Sequence, residues 1–285
     1  MNQVENRLET VAETVSRALA EDFAQEDASS LAVVPVDAQA KAVVLARAEG
    51  VLAGRAYAEE ALLQCHPDIR QDWSVQDGDR VEPNQEVLRC EGPARALLAA
   101  ERTLLNFLQQ LSGVATATAD AVARAGSLAL LDTRKTTPGL RDAQKAAVVA
   151  GGGVNHRRDL ADQLLLKENH FALSGLSYAQ TVSKAREACG EKILGTEAQT
   201  IEEARQALAA GANYVLLDNF NSEELPRVVK SLREEFPQAV LEASGGITWD
   251  TLPAFAASGV DRVSMGALTH SVTALDLSLL LEPSA

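Results

Sequence analysis

Seven of the chain's 26 lysines and arginines fall within the 34 residues 134–167: Arg134, Lys135, Arg141, Lys145, Arg157, Arg158 and Lys167. Only Asp142, Asp159 and Asp162 oppose them, and His156 adds one more group able to carry positive charge. The whole chain has a formal charge of −14, so this local excess needs a cause. An anionic small molecule supplies one, because guanidinium forks grip carboxylate and phosphate bidentately. Ordinary surface charge is the competing reading. Arg134 and Lys135 directly follow an apolar run and favour a ligand, whereas Arg141 and Lys145, four apart on a helix, read as solvated.

Glu197 and Asp218 stand at the ends of what read as neighbouring strands. Carboxylates on strands ~4.8 Å apart repel unless a cation or hydroxyl groups lie between them. Oxygen-only ligands favour Mg²⁺, completed by waters and substrate phosphates, while capping or loop acids are the plainer alternative. The four histidines and three cysteines show no zinc spacing. Ser244-Gly245-Gly246 and Ser264-Met265-Gly266-Ala267 each follow a late apolar run. Exposed amides ahead of a helix suit a phosphate, although a lone Ser-Gly-Gly is more often only a turn. A fourth polar set, Arg102, Asn106 and Gln109, forms a stripe on an otherwise apolar helix. Such a stripe marks a site wall, a buried interface or a solvated face.

These residues need strands and helices to position them. From residue 114 short apolar runs recur at Leu128–Leu131, Leu164–Leu166, Lys192–Leu194, Tyr214–Leu217, Ala239–Leu241 and Val260–Val263. Helical segments separate them: Tyr178–Cys189, Ile201–Ala210, Glu223–Phe236 and Leu252–Ser258, with Gly190, Gly211 and Gly259 placed to end three of them. That alternation predicts a parallel α/β structure with polar residues at the C-terminal strand ends, the face that bears the active site in β/α barrels. Six or seven strands are fewer than eight, so an open, incomplete barrel is expected. Earlier in the chain, Val4–Phe23 has a helical period, Lys41–Leu45 and Gly50–Gly54 read as strands, and Asp77-Gly78 reads as a hairpin turn between Trp73–Val75 and Val81. A helix is expected from Pro93 to Leu111, closed by Gly113.

Composition narrows the class. The chain has 285 residues, room for one large domain or two modest ones. An excess of 40 acidic over 26 basic residues disfavours nucleic acid and anionic membranes as partners. The longest uncharged run, Thr103–Ala119, has seventeen residues, several of them polar, against the ~20 apolar ones a bilayer requires. The first residues are acidic and lack the apolar segment of a secretory signal. Cys65, Cys90 and Cys189 are odd in number without paired spacing and read as reduced thiols in a cytoplasmic protein.

Long stretches of the chain resemble the quinolinate phosphoribosyltransferase family, also called carboxylating nicotinate-nucleotide pyrophosphorylases. The resemblance is carried by Leu131-Asp132-Thr133-Arg134-Lys135-Thr136-Thr137-Pro138-Gly139-Leu140-Arg141, by Gly151-Gly152-Gly153 through His156-Arg157, and by Leu166-Lys167-Glu168-Asn169-His170. Glu101-Arg102-Thr103-Leu104-Leu105-Asn106 with Leu111-Ser112-Gly113, Glu242-Ala243-Ser244-Gly245-Gly246, and Ser264-Met265-Gly266-Ala267-Leu268-Thr269-His270 extend it over nearly the whole chain. It implies an N-terminal α/β sandwich domain (residues 1–112), an open α/β barrel (113–271) and a tail (272–285) returning to the first domain. It implies phosphoribosyl transfer from phosphoribosyl pyrophosphate to quinolinate with Mg²⁺, releasing CO₂. It also implies a homodimer, with a hexamer as an alternative, in which one subunit's first domain covers the other's barrel mouth.

Carried over residue by residue, the resemblance assigns Arg134, His156, Arg157 and Arg102 of the partner subunit to the quinolinate carboxylates. Lys135 lies beside substrate, and Lys167 faces substrate and pyrophosphate. Glu197 and Asp218 bind the ribose hydroxyls and the metal. Ser244, Gly245, Gly246, Gly266 and His270 line the 5′-phosphate region. Three departures stand out. The family's usual Glu-Val-Glu is Gly195-Thr196-Glu197, its Lys-Asp-Asn-His is Lys167-Glu168-Asn169-His170, and its Gly-Asp-Ile-Thr is Glu26-Asp27-Ala28-Ser29. Rival readings are a relative acting on another acidic acceptor, a barrel aldolase with Lys167 as Schiff-base lysine, and a non-catalytic sensor of a phosphorylated ligand.

Overall fold

The computed structural model describes residues 9–284. In chain order the elements are α1 (Val11–Glu21), α2 (Ala28–Val33), β1 (Gln39–Ala46), β2 (Gly50–Val51), α3 (Arg55–Cys65), β3 (Arg70–Trp73), β4 (Arg80–Val81), β5 (Glu86–Pro93) and α4 (Ala94–Ala125). There follow β6 (Ala129–Leu131), α5 (Arg141–Ala150), β7 (Leu164–Leu166), α6 (Glu168–Ser174), α7 (Tyr178–Ala188), β8 (Leu194–Ala198), α8 (Ile201–Ala209) and β9 (Tyr214–Asp218). The last are α9 (Leu225–Glu235), β10 (Val240–Ser244), α10 (Leu252–Ala256), β11 (Arg262–Ser264), α11 (Ala267–His270) and β12 (Leu277–Pro283). The chain divides into two compact units, one reaching Thr116 and resuming at Val272, the other spanning Ala117–Ser271.

The first unit holds an antiparallel sheet in the order β12-β1-β5-β3, with a separate β2-β4 pair. Ala40, Ala42, Val44 and Ala46 are buried on alternate positions of β1, the period of a sheet with one face in a core. Thr10 and Glu13 form a reciprocal capping box at the start of α1, which buries Val15 and Leu19 four residues apart. Val4 and Leu8 of the expected first helix lie outside the described residues. Asp77-Gly78 does form a turn, with Gly78 at φ 93°, but it joins no hairpin. β3 pairs with β5 while β4 pairs with β2, so its flanking strands enter different sheets.

Helix α4 runs through Gly113 to Ala125 instead of stopping there. The glycine serves packing: a Cβ at this position would stand 2.3 Å from the Thr273 carbonyl oxygen. Gln109 of the polar stripe donates to the Leu277 carbonyl at 2.7 Å, while Arg102 and Asn106 are exposed.

The second unit is a six-stranded parallel sheet in the order β6-β11-β10-β9-β8-β7, an open barrel whose first and last strands do not pair. Buried runs such as Tyr214–Leu217 mark strands covered on both faces. β8 begins at Leu194 and continues to Ala198, later than the expected Lys192–Leu194 run. Glu197 therefore lies within the strand. At the open edge, Val154 bridges Leu131 in parallel, which fixes the chain just before His156 and Arg157.

Candidate active site

The C-terminal strand ends of the second unit surround a cavity of about 570 Å³. Arg134 and Lys135 reach it from the segment after β6, His156 and Arg157 from the open edge, and Lys167 from the end of β7. Glu197, Asp218 and Ser244 line it from β8, β9 and β10, followed by Gly245 and Gly246. Ten of the expected site residues are thus gathered in one pocket. Ser264, from the second loop read as suited to a phosphate, lines it too, as do Thr133, Leu165, Leu216 and Asn219, which the sequence does not mark as site residues. An alternating count along β9, outward from Asp218, would have found Leu216.

The cationic wall is held by a buried ion pair. Lys145 donates to Asp132 at 2.5 Å, with side-chain exposures of 5% and 0%. The same ammonium donates to the His156 carbonyl at 2.9 Å, and Asp132 accepts the His156 N–H at 2.8 Å. Lys145 is therefore no solvated helix residue: its cation ties α5 to Asp132, the residue after β6, and clamps the loop ahead of Arg157. Arg141, also expected in solvent, donates to the Thr136 hydroxyl at 3.0 Å. Burial pushes the Asp132 carboxyl above the usual range even against Lys145.

Arg157 is 7% exposed and donates to the Gln163 carbonyl at 3.3 Å. Burial, then the neighbouring Arg134, disfavours its charged form. The Arg134 Nε is buried without a hydrogen-bond partner among the described residues. A guanidinium with an unmet donor, beside a second one whose charge burial disfavours, suits an anion. The His156 Nδ1 accepts the Arg157 backbone N–H at 2.7 Å, which assigns the proton of a neutral ring to Nε2. That nitrogen lies 3.4 Å from the Glu242 carboxylate. Glu242, expected at a strand end, sits inside β10 and is fully buried.

The acidic side of the pocket is equally ordered. Lys167 pairs tightly with Glu197. The Tyr178 hydroxyl donates to the Glu197 carbonyl at 2.7 Å, and burial pushes that phenol up to about 12. Glu197 stands opposite Leu216 in the ladder, so Asp218 is its diagonal neighbour and not its direct partner. Burial, then the Glu197 charge, raises the Asp218 carboxyl above its ordinary value, while Lys167 opposes the rise. The Asn219 amide donates to Asp218 at 2.8 Å. A Cβ at Gly245, whose φ is 90°, would meet the Asn219 Oδ1 at 2.2 Å, so these two loops close only with glycine.

Gly266 and His270 stand beside Lys135: a Cβ at Gly266 would lie 2.9 Å from the Lys135 Cδ and 3.2 Å from the His270 ring. His270 is exposed, with Nδ1 2.6 Å from the Ser271 hydroxyl. Arg102 belongs to the first unit, where it pairs with Glu101 at 3.5 Å. No cluster of three or more His, Cys, Asp or Glu suited to a metal occurs among the described residues.

Comparisons with known proteins agree with this architecture. Family models match over residues 27–112 (quinolinate phosphoribosyl transferase, N-terminal domain) and 114–280 (quinolinate phosphoribosyl transferase, C-terminal domain). The chain is 40% identical over 263 residues to the probable nicotinate-nucleotide pyrophosphorylase [carboxylating] of Bacillus subtilis, covering 91% of this chain and 89% of that protein. It is 40% identical over 272 residues to the nicotinate-nucleotide pyrophosphorylase [carboxylating] of Rattus norvegicus, covering 93% and 90%. Among solved structures, NadC from Streptococcus pyogenes superposes with a TM-score of 0.91 at 36% identity, over 96% of this chain and 97% of that one. The chain belongs to the quinolinate phosphoribosyl transferase family.

Proposed function

We propose that this chain transfers the phosphoribosyl group of phosphoribosyl pyrophosphate to quinolinate, giving nicotinate mononucleotide, pyrophosphate and CO₂, a step of NAD biosynthesis. One observation carries the reading: Arg134, Arg157 and Lys167 meet Glu197 and Asp218 in a single pocket. A dianionic pyridine needs the first group, and a ribose that becomes cationic needs the second.

The pyridine nitrogen forms its bond to C1 of the ribose as the C1–oxygen bond to pyrophosphate breaks, the leaving oxygen keeping the electron pair. Positive charge builds on the ribose, and Glu197 and Asp218 stabilise it electrostatically. Lys167 meets the negative charge on pyrophosphate. Arg134, Arg157 and Arg102 of the partner subunit hold the carboxylates, with His156 closing the wall beside them and Lys135 next to substrate. Ser244, Gly245, Gly246, Gly266 and His270 serve the 5′-phosphate. Once the nitrogen is alkylated, the C2 carboxylate leaves as CO₂. Its electron pair stays on C2, stabilised by the adjacent pyridinium until solvent protonates it, so no general base is required.

Glu197 and Asp218, the latter raised by burial and then by the Glu197 charge, are the oxygen ligands that would hold a Mg²⁺. Bound there, the ion supplies charge neutralisation at pyrophosphate. Homodimerisation and a cytoplasmic location complete the proposal. The three cysteines are free, and no helix among the described residues is long and apolar enough to cross a membrane.

The test is to incubate the purified protein with quinolinate, phosphoribosyl pyrophosphate and Mg²⁺, following nicotinate mononucleotide by chromatography. Product from quinolinate and none from nicotinate, with loss of turnover on chelation and recovery on adding Mg²⁺, supports the reading. No product from quinolinate refutes it.

A further inference from the structure

A second charged group lies in the barrel interior and plays no part in the scheme above. Glu242 on β10 stands directly opposite Arg262 on β11, and the Arg262 Nε lies 2.8 Å from its carboxylate. The approach angle makes this an ion pair without a hydrogen bond, and neither Glu242 oxygen accepts one among the described residues. The same carboxylate faces His156 at 3.4 Å. A fully buried carboxylate is thus shared between a guanidinium and an imidazole of the pocket wall.

The guanidinium is held in place by an aromatic ring. The Arg262 guanidinium carbon lies 4.1 Å over the Tyr214 ring, and Tyr214 is 2% exposed. That ring takes its position because β8 carries glycine opposite it: a Cβ at Gly195 would fall 2.1 Å from the Tyr214 Cζ. Gly195 is also where this chain departs from the acid that the family resemblance leads one to expect. Tyr214 fills the space on that side of the strand pair.

We propose that Arg262, seated on Tyr214 in the space left by Gly195, is a positioning residue of the candidate site. It neutralises Glu242, so that this buried carboxylate neither captures His156 nor repels an anion in the pocket that His156 lines. The inference rests on the reading of that pocket as the quinolinate site. Its physical basis is general: a buried carboxylate stripped of its cation acts on its neighbours at full strength while it is ionised, because little water is present to screen it. Loss of both charges together removes the field.

The test uses the full chain with Arg262→Gln, Arg262→Lys, and Arg262→Gln combined with Glu242→Gln. Quinolinate affinity is read by calorimetry, and KM for each substrate and kcat by steady-state assay. Arg262→Gln should weaken quinolinate at least tenfold, about 1.4 kcal/mol, with a smaller change in kcat. Arg262→Lys and the double variant should each recover most of that loss, a rescue that a merely packing role for Arg262 does not give. Quinolinate affinity within twofold of wild type in Arg262→Gln, or no recovery in the double variant, overturns the proposal. If Arg262→Gln does not fold, a folded, quinolinate-binding double variant supports it, and an unfolded one overturns it. If the wild type binds no quinolinate, the reading of the pocket fails by itself. The positioning role then falls with that reading, and melting temperatures of the ligand-free variants decide only the neutralisation of Glu242: Arg262→Gln alone more destabilising than the double supports it, and simple additivity overturns it.

Discussion

Replacing Lys145 with methionine keeps the length of the side chain and removes its charge. The cost follows from the surroundings. Asp132 is fully exposed to the loss, because its own side chain is 0% accessible and its cationic partner sits 2.5 Å away. Breaking a buried pair by deleting one partner costs about 3–5 kcal/mol. At about 2–4 °C per kcal/mol for a unit of this size, the melting temperature should fall by roughly 6–20 °C. Asp132 still accepts the His156 N–H at 2.8 Å, which places the expectation toward the lower end. Because burial already raises the Asp132 carboxyl, a proton can take the place of the lost ammonium. The stability gap between variant and wild type should therefore narrow as pH falls and widen as it rises. Lys145 also holds the His156 carbonyl, so the loop before Arg157 loosens and quinolinate KM rises more than kcat falls. Adding Asp132→Asn should return most of the stability, since the amide oxygen can keep the backbone N–H. Circular dichroism melts over a pH series, with steady-state kinetics, provide the check. A Lys145→Met melt within about 2 °C of wild type, below the smallest expected shift, would mean that the buried pair carries no such cost.

Arg134→Ala should weaken quinolinate by about 2–5 kcal/mol, since a carboxylate bound in this pocket would lose one of its guanidinium partners, while phosphoribosyl pyrophosphate binding is largely kept. Calorimetry with each ligand separates the two. Gly113→Ala should destabilise the first unit by at least the ~1–3 kcal/mol typical of overpacking, because its Cβ would stand 2.3 Å from the Thr273 carbonyl oxygen. An unchanged denaturation midpoint would contradict that contact. Burial pushes the Cys65 thiol up to about 11 and the Cys90 thiol up to about 12. Both folded values lie above the unfolded one, so their contribution to stability is whole below pH ~9 and is lost as pH rises through the folded values. Denaturant midpoints should decline on that alkaline limb, less steeply in Cys90→Ala.

The parallel strands and the residues at their C-terminal ends were legible because both leave local marks: a buried run, then a polar residue. Arg134, Lys167, Glu197 and Asp218 were found this way and meet in one pocket. Other features depended on contacts that spacing does not encode. Lys145 and Arg141 share a helix at the same spacing as any solvated pair, and only the pair with Asp132, thirteen residues back, shows that one of them is buried. Gly113 reads as a stop signal, yet it is small because Thr273, distant in sequence, comes close. Glu242 looked like a strand-end acid because the apolar run before it is short; two more residues of ladder pairing place it inside the strand. In the sequence Gly195 is only a missing acid; its structural reason is the Tyr214 ring, which occupies the space a Cβ would take.

The Lys167–Glu197 pair has a thermodynamic consequence. In the ligand-free pocket each charge serves as the other's counter-ion. An anion that draws Lys167 away leaves Glu197 with an uncompensated charge, and a cation arriving at Glu197 releases the ammonium in the same way. Either ligand removes the competitor of the other, so anion and cation bind with positive cooperativity even if no loop moves. Linkage makes that coupling equal in both directions: the factor by which the anion tightens the cation is the factor by which the cation tightens the anion.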